Sequence, residues 1–130
     1  MDILRKEVST DFDRTVEKVE NTCHENDFSV LLTKDVDEIF RKKLDIQDYD
    51  RYAFVLACAA PLAKMALDVS KDAGLLFPCS FVIYEEDGNV FVAHASIMKA
   101  AVELGLAPED EMAPVLEETG RRIHKLWDEL

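Results

Sequence analysis

The sequence predicts a two-layer α+β domain in which helices pack on one face of a mixed β-sheet. Two features of the chain predict this fold. Apolar residues recur at helical spacing in several segments, and short apolar runs typical of strands lie between these segments. Asp87-Gly88 separates two of the strand-like runs and is a strong signal for a two-residue hairpin turn. Because a purely parallel sheet contains no hairpin, we expect a mixed sheet with a hairpin in the C-terminal half.

The expected order of elements is strand, helix, strand, helix, strand, helix, hairpin and then further helices. An apolar stripe that begins at Phe12 and ends at Cys23 predicts the first helix. A short strand is expected over 28–33, a second helix over 35–44 and a buried strand over 52–57. These elements make up the N-terminal half of the domain.

The C-terminal half contains the hairpin and three helices. Pro61 suits the first turn of a helix, where its missing N–H costs nothing, and Gly74 is a good residue to end that helix. The hairpin strands are expected over 79–85 and 89–95, followed by a short helix over 97–105. The last helix carries a long apolar stripe, with Trp127 beside it: Met112, Val115, Leu116, Thr119, Ile123, Leu126 and Leu130.

Composition narrows the class of protein. The 130 residues carry a net charge of −12, and 48% of them are hydrophobic, so a single globular domain over residues 1–130 is expected. An acidic chain is a poor partner for nucleic acid or an anionic membrane. No stretch approaches the roughly 18 continuous apolar residues of a spanning helix. Charges at the N-terminus argue against a signal peptide, and three widely spaced cysteines argue against a disulfide framework, so we expect a cytoplasmic protein.

The hairpin turn fixes the expected pairing of the two strands around it. With Asp87 and Gly88 as the central turn residues, Phe81 faces His94, and Cys79 shares a face of the sheet with His94 as its diagonal neighbour. A slip by one residue would place the thiol and the imidazole on opposite faces.

Few side chains in the sequence are candidates for catalysis or metal binding. Cys58 ends a strand just before a helix, whose N-terminus favours a thiolate, although a cysteine there equally packs as a small hydrophobe. With Cys79 and His94 it could supply three ligands to zinc or another soft metal, but no C-x-x-C or H-x-x-x-H spacing occurs. An inward Glu85 is a candidate general acid or base. The sequence contains no glycine-rich nucleotide motif and no G-x-S-x-G.

Several short motifs follow one another in an order that is specific only in combination. Asp35 precedes a helix that carries "FRKKL", and Ala57-Cys58-Ala59-Ala60-Pro61 leads into the next helix. Gly74-Leu75-Leu76-Phe77-Pro78-Cys79 and "SFVIYEEDGNV" follow. Over residues 15–106 the chain therefore resembles the family called domain of unknown function 302 (DUF302).

The resemblance implies a small α+β domain that commonly forms homodimers, and it brings no established activity. The chain is similar to those members that have both cysteines, which favours a paired role for Cys58 and Cys79. It departs from the family pattern at Ala59, where members usually have asparagine, and this weakens any transfer of a binding site.

The favoured function is a homodimeric binding module for a small ligand or a soft metal. The motivation is the presence of soft ligands on otherwise apolar elements. The expected binding residues are Cys58, Pro61, Cys79, Glu85 and His94.

Two alternatives stay open beside the binding module. In a thiol-based redox protein, Cys58 would attack and Cys79 would resolve the disulfide. In a dimeric structural or regulatory protein without chemistry, the last helix around Trp127 would be the contact surface. Enzyme status stays open, because spacing alone assigns no nucleophile and base.

Overall fold

The computed structural model describes residues 3–130. Its strands are β1 (Ile3–Val8), β2 (Ser29–Asp35), β3 (Tyr52–Cys58), β4 (Cys79–Glu86) and β5 (Asn89–Ala95). Its helices are α1 (Phe12–Glu25), α2 (Val36–Leu44), α3 (Ala60–Val69), α4 (Ile97–Glu103) and α5 (Glu109–Asp128), with a 3₁₀ helix at Lys71–Leu76. None of the helices in this part of the chain is long and apolar enough to cross a bilayer.

The α+β class and the two-layer arrangement are confirmed, but the sheet is antiparallel throughout rather than mixed. The strands lie in the order β1-β5-β4-β3-β2, and all four neighbouring pairs are antiparallel. The helical connections after β2 and β3 each return the chain to an adjacent antiparallel strand. The expectation was wrong here because a strand–helix–strand order does not by itself require a parallel crossover.

The sheet has one covered face and one open face. Helices α1 and α5 cover the first, where alternate strand residues are buried in the main core. These residues include Ala53, Val55, Ala57, Phe81, Ile83, Val90 and Val92. On the open face the alternate residues are only half-buried, including Tyr52, Phe54, Leu56, Val82, Tyr84 and Phe91.

Strand β2 forms one outer edge of the sheet and contains an irregularity. Its pairing with β3 shifts in register between Val30 and Leu32, which leaves Leu31 as an extra, bulged residue. Leu31 and Leu32 are 59% and 43% exposed. The other outer edge is β1, for which the sequence indicated a strand but no bounds.

A second apolar cluster lies where α3, α4 and the first half of α5 meet. The expected helix up to Gly74 is shorter than predicted, because the backbone is extended at Ser70. The Ser70 hydroxyl donates a hydrogen bond to the Leu106 carbonyl at 2.7 Å and caps the 3₁₀ helix that follows. This break turns the chain toward α4 and places the second cluster at the end of the sheet.

The apolar stripe of α5 belongs to the core, so it does not form the exposed contact surface considered above. Met112, Ile123 and Leu126 are all buried, and Trp127 is only 9% exposed. The Lys6 ammonium lies 4.8 Å from the centre of the Trp127 ring and donates a 2.8 Å hydrogen bond to the Trp127 carbonyl. The indole therefore anchors α5 to the outer strand β1.

Candidate functional site

The predicted hairpin register is confirmed. Asp87 and Gly88 both have positive φ values, 52° and 82°, as the two-residue turn requires. Phe81 pairs with His94 across β4 and β5. Because Cys79 has the same parity as Phe81, Cys79 and His94 both lie on the face covered by helices.

His94 is held rigidly and is 4% exposed. Its ring stacks on that of Phe81 with centroids 4.4 Å apart, and its Nδ1 lies 2.8 Å from the Ser80 carbonyl oxygen. A carbonyl oxygen only accepts, so Nδ1 carries the proton and the neutral ring keeps a free lone pair on Nε2. Burial lowers the pKa of His94 below its ordinary value, and the bond to Ser80 offsets part of this effect. The imidazole is therefore neutral at pH 7.

A cleft of about 350 Å³ opens beside this histidine. We call it the His94 cleft. Its apolar members include Leu4, Leu116 and Ile123. Its buried polar members are His94 and Thr119, and Ser96, Lys99, Gly120 and His124 complete the lining. The size falls within the range of natural small-molecule sites.

Thr119 is the least satisfied polar residue of the site. It is 4% exposed, and its Oγ1 has no hydrogen-bond partner within residues 3–130. A threonine inside a helix usually bonds back to the carbonyl one turn earlier, and this one does not. The Oγ1 atom itself is fully enclosed, so Thr119 contributes to the wall between the cleft and the apolar pocket behind it.

An apolar pocket lies on the other side of Thr119. We call it the thiol pocket, because Cys58 and Cys79 both line it, together with apolar residues such as Phe28, Leu62 and Met98. Its free space is only about 20 Å³, roughly enough for one water molecule. The thiol pocket is thus nearly filled, whereas the adjoining His94 cleft is open.

The two cysteines lie near each other but on different faces of the sheet. Cys79 pairs with Ala57, so Cys58, the next residue, points to the opposite side of β3. Cys23, Cys58 and Cys79 are all free thiols. The alternation of side chains along β3 disfavours a disulfide between Cys58 and Cys79 in this conformation.

Burial makes two of the thiols poor nucleophiles. It raises the pKa of Cys79 to about 11, with a further contribution from the nearby Cys58. It raises the pKa of Cys23 to about 12, and this residue is fully buried, as its place on the α1 stripe predicts. Both are protonated at neutral pH, and the protonated form does not attack a disulfide.

The structure does not assemble the expected metal site. Across residues 3–130, no three histidine, cysteine, aspartate or glutamate side chains form a group that could hold a metal ion. For Cys58, Cys79 and His94 the reason is geometric. Alternation along β3 places Cys58 on the side of the strand opposite to Ala57, the residue that Cys79 pairs with, so the two thiols do not converge with the imidazole.

Two further expected binding residues lie away from the cleft. Pro61 sits in the first turn of α3, as predicted, but it is exposed and lines neither the cleft nor the thiol pocket. Glu85 lies at the far end of β4, next to the hairpin turn, six residues from Cys79. At about 3.3 Å per residue, this places Glu85 roughly 20 Å from Cys79. Glu85 is therefore not part of the same site.

At that end of the sheet, the carboxylates of Asp13 and Asp37 form ion pairs with Arg51. Its guanidinium lies 2.9 Å from Asp13 and 3.4 Å from Asp37, and it covers the Phe12 ring at 4.2 Å. Burial raises the pKa of Asp35, the third neighbouring aspartate, and the charge of Arg51 partly opposes that shift. This cluster joins α1 and α2 to β3, and its role is structural.

Apart from His94, none of the residues that line the cleft was expected as a site residue, and Thr119 and Gly120 are two examples. Thr119 was counted as part of the apolar stripe. Gly120 lies in the middle of α5, and an added Cβ there would have nothing within 4 Å. A glycine in the interior of a long helix is the signal that could have indicated a local opening.

The fold and the cleft define a small α+β domain with a neutral, buried histidine in an open cleft. The sequence model of the family described as "Domain of unknown function DUF302" matches residues 4–130, so the chain belongs to this family. A crystal structure of an uncharacterized conserved DUF302 protein from Bacillus stearothermophilus has the same fold, with a TM-score of 0.85 at 19% sequence identity. The match covers 98% of this chain and 96% of that one. No curated protein matches the sequence.

The buried His94 predicts a pH-dependent stability. Because its folded pKa lies below the ordinary value of 6.5, its stabilising contribution is complete above pH 6.5 and is lost as the pH falls through the folded pKa. We expect His94→Phe to flatten the decrease in unfolding free energy as the pH is lowered below 6.5, measured by urea denaturation. The exposed His24→Gln control should keep the wild-type slope. An unchanged slope in His94→Phe would contradict the assignment.

The burial of the thiols predicts their order of alkylation. With iodoacetamide at pH 8, we expect Cys58 to react first, because it is only half-buried, and Cys23 and Cys79 to react only after unfolding. Mass spectrometry of digested protein would locate the label, with Cys58→Ser as the control. Labelling of native Cys79 as fast as Cys58 would show that the thiol pocket opens.

Proposed function

We propose that this protein is a small-molecule-binding domain whose site is the His94 cleft. The open cleft beside a buried imidazole fixed by a backbone carbonyl is the observation that carries the proposal, because a concave apolar opening with a few positioned polar groups is typical of small-molecule sites. Of the residues expected from the sequence, His94 is retained at the centre of the site.

The glycine at position 120 supports the proposal that the His94 cleft is a binding site. In the interior of a helix, glycine is less favourable than alanine by about 0.5–1 kcal/mol. Nothing lies within 4 Å of the Cβ that another residue would add at position 120, so packing does not demand a glycine there. Its effect is to widen the cleft, at a cost to the stability of α5.

The thiols have a supporting role in this proposal. Cys79 and Thr119 line the thiol pocket together, so the cysteine contributes to the apolar wall behind the hydroxyl. A soft-metal function is less well supported, because the three candidate ligands are not grouped. The redox alternative is weakened by the high pKa of Cys79 and by the divergence of the two cysteines.

The proposal predicts that filling the cleft abolishes binding without harming the fold. We expect single-ring fragments to shift the backbone amides of His94, Ser96 and Gly120 in ¹⁵N-edited NMR spectra, and Gly120→Leu to remove these shifts. The matched control is Gly120→Ala, which should keep binding and raise the unfolding free energy by about 0.5–1 kcal/mol. A fragment library that shifts none of these amides, or binding that survives Gly120→Leu, would contradict the proposal.

A homodimer formed through the open face of the sheet is a second proposal, made because this face combines an aromatic row with balanced charge. Tyr84 stacks between Tyr52 and Phe91, with centroids 5.9 and 5.4 Å apart. These rings lie among half-buried aliphatic residues, and an apolar patch of this kind typically marks an interaction site. The family resemblance points to the same association.

The charges on the open face favour a second copy of the chain as the partner. On the strands of this face Arg5 and Lys34 are balanced by Glu7 and Glu86, although Asp48 and Asp50 lie beside Tyr52 and Tyr84 at one end and the chain as a whole carries a net charge of −12. Two strongly acidic molecules repel each other least where their contact surfaces are neutral. A two-fold arrangement also allows residues of opposite sign to face each other across the contact.

The dimer proposal is tested by a charge at the centre of the open face. We expect the wild-type chain to sediment at twice its monomer mass and Val82→Lys to sediment as a folded monomer, because the contact would bury an unpaired ammonium. The control is Leu104→Lys, at an exposed leucine after α4, which should remain dimeric. A wild-type monomer at tens of micromolar, or a Val82→Lys dimer, would rule out this interface.

A further inference from the structure

We propose that a groove at the hairpin end of the sheet is a docking site for an arginine-bearing basic segment of another protein. The groove has a volume of about 420 Å³ and lies between the loop that joins α2 to β3 and the adjoining ends of β3 and β4. We call it the tyrosine groove, because Tyr49, Tyr52 and Tyr84 line it. This inference does not rest on the His94 cleft, which lies on the covered face.

The three aromatic rings of the groove lie close together and are held in place. Tyr52 and Tyr84 stack with centroids 5.9 Å apart and an interplanar angle of 16°. Tyr49 packs edge-on against Phe40, with centroids 4.9 Å apart, and it remains 51% exposed. Burial raises the pKa of Tyr52, as do the neighbouring Tyr49 and Tyr84, so its phenol group stays uncharged at neutral pH. Neutral tyrosine rings attract a cation through their π-electrons.

Four carboxylates surround these rings, namely Asp48, Asp50, Glu85 and Glu86. None of these four side chains forms an ion pair or a hydrogen bond with residues 3–130. The guanidinium of Arg51 also lines the groove, but it lies 2.9 Å from Asp13 and 3.4 Å from Asp37, so its charge is already matched. The groove is therefore anionic as well as aromatic, and it favours a cationic partner.

The carboxylates are spread along the groove rather than gathered around one point. Asp48 and Asp50 lie on the loop, whereas Glu85 and Glu86 lie on β4. In the described part of the chain, no three such side chains form a group that could hold a metal ion. A small cation therefore contacts few of them at once, whereas an extended basic segment places successive side chains along both rims. Arginine suits this lining, because its planar guanidinium stacks on aromatic rings and forms paired hydrogen bonds with a carboxylate.

The test titrates three capped pentapeptides into the full chain: RGRGR and its counterparts with lysine or citrulline in place of arginine. At about 100 mM NaCl, long-range attraction to the acidic chain is largely screened. We expect RGRGR to shift the backbone amides of Tyr49, Tyr52 and Glu86 in ¹⁵N-edited NMR spectra, and to bind about threefold more tightly than the lysine peptide. The citrulline peptide keeps the shape without the charge and should not bind. Shifts that miss these amides, or equal binding of the citrulline peptide, would overturn the inference.

Matched variants separate docking in the groove from general attraction to an acidic protein. Glu85→Gln combined with Glu86→Gln should weaken the binding of RGRGR by about fivefold. Glu109→Gln combined with Glu111→Gln removes the same charge from the exposed first turn of α5 and should keep the wild-type Kd. Tyr49→Leu should weaken binding by about two- to fivefold, because it removes a ring but no charge. Equal losses in both charge variants, or no loss in Tyr49→Leu, would overturn the assignment.

A second copy of this chain is the alternative occupant of the groove, since its surface also carries arginines. In that case the variant with Glu85→Gln and Glu86→Gln would sediment at a lower mass than the wild type, and this result would overturn the assignment to another protein. We expect this variant to keep the wild-type mass. Binding of fragments in the His94 cleft is measured separately, so the failure of one site leaves the other intact.

Discussion

The two-residue turn at Asp87-Gly88 is the constraint on which the arrangement of the site depends. Its left-handed backbone sets the register of β4 against β5, and that register decides which side chains face the helices. With this register, His94 lies against Phe81 and beneath α5, among apolar residues. A slip by one residue would turn the imidazole toward the open face, into water, where it would titrate as an ordinary histidine.

One physical effect, desolvation, then determines the chemistry on the covered face. It disfavours charge, so it lowers the pKa of the imidazole and raises the pKa of the thiols of Cys79 and Cys23. Desolvation therefore reinforces the neutral form of all three groups. A face that holds its cysteines as protonated thiols is poorly suited to thiol exchange.

The sequence correctly predicted the features that depend on residues close together in the chain. The dipeptide Asp87-Gly88 determines its own turn, and the α1 stripe buries Cys23 without reference to distant parts of the chain. The antiparallel course of the sheet was not predictable in this way, because it depends on how the connections containing α2 and α3 return. Much of the cleft was missed for a similar reason. Thr119 and Gly120 approach His94 only when α5 packs on the sheet, and no spacing in the sequence encodes that contact.

The extra residue in β2 has a consequence for the behaviour of the protein in a crowded solution. The outer strands carry unpaired N–H and C=O groups, and on β2 these lie beside two exposed leucines, a combination that invites further strands to add on. The irregular register at Leu31 interrupts the even row of such groups. An incoming chain therefore finds no straight template to extend at this edge, which disfavours the addition of strands to β2.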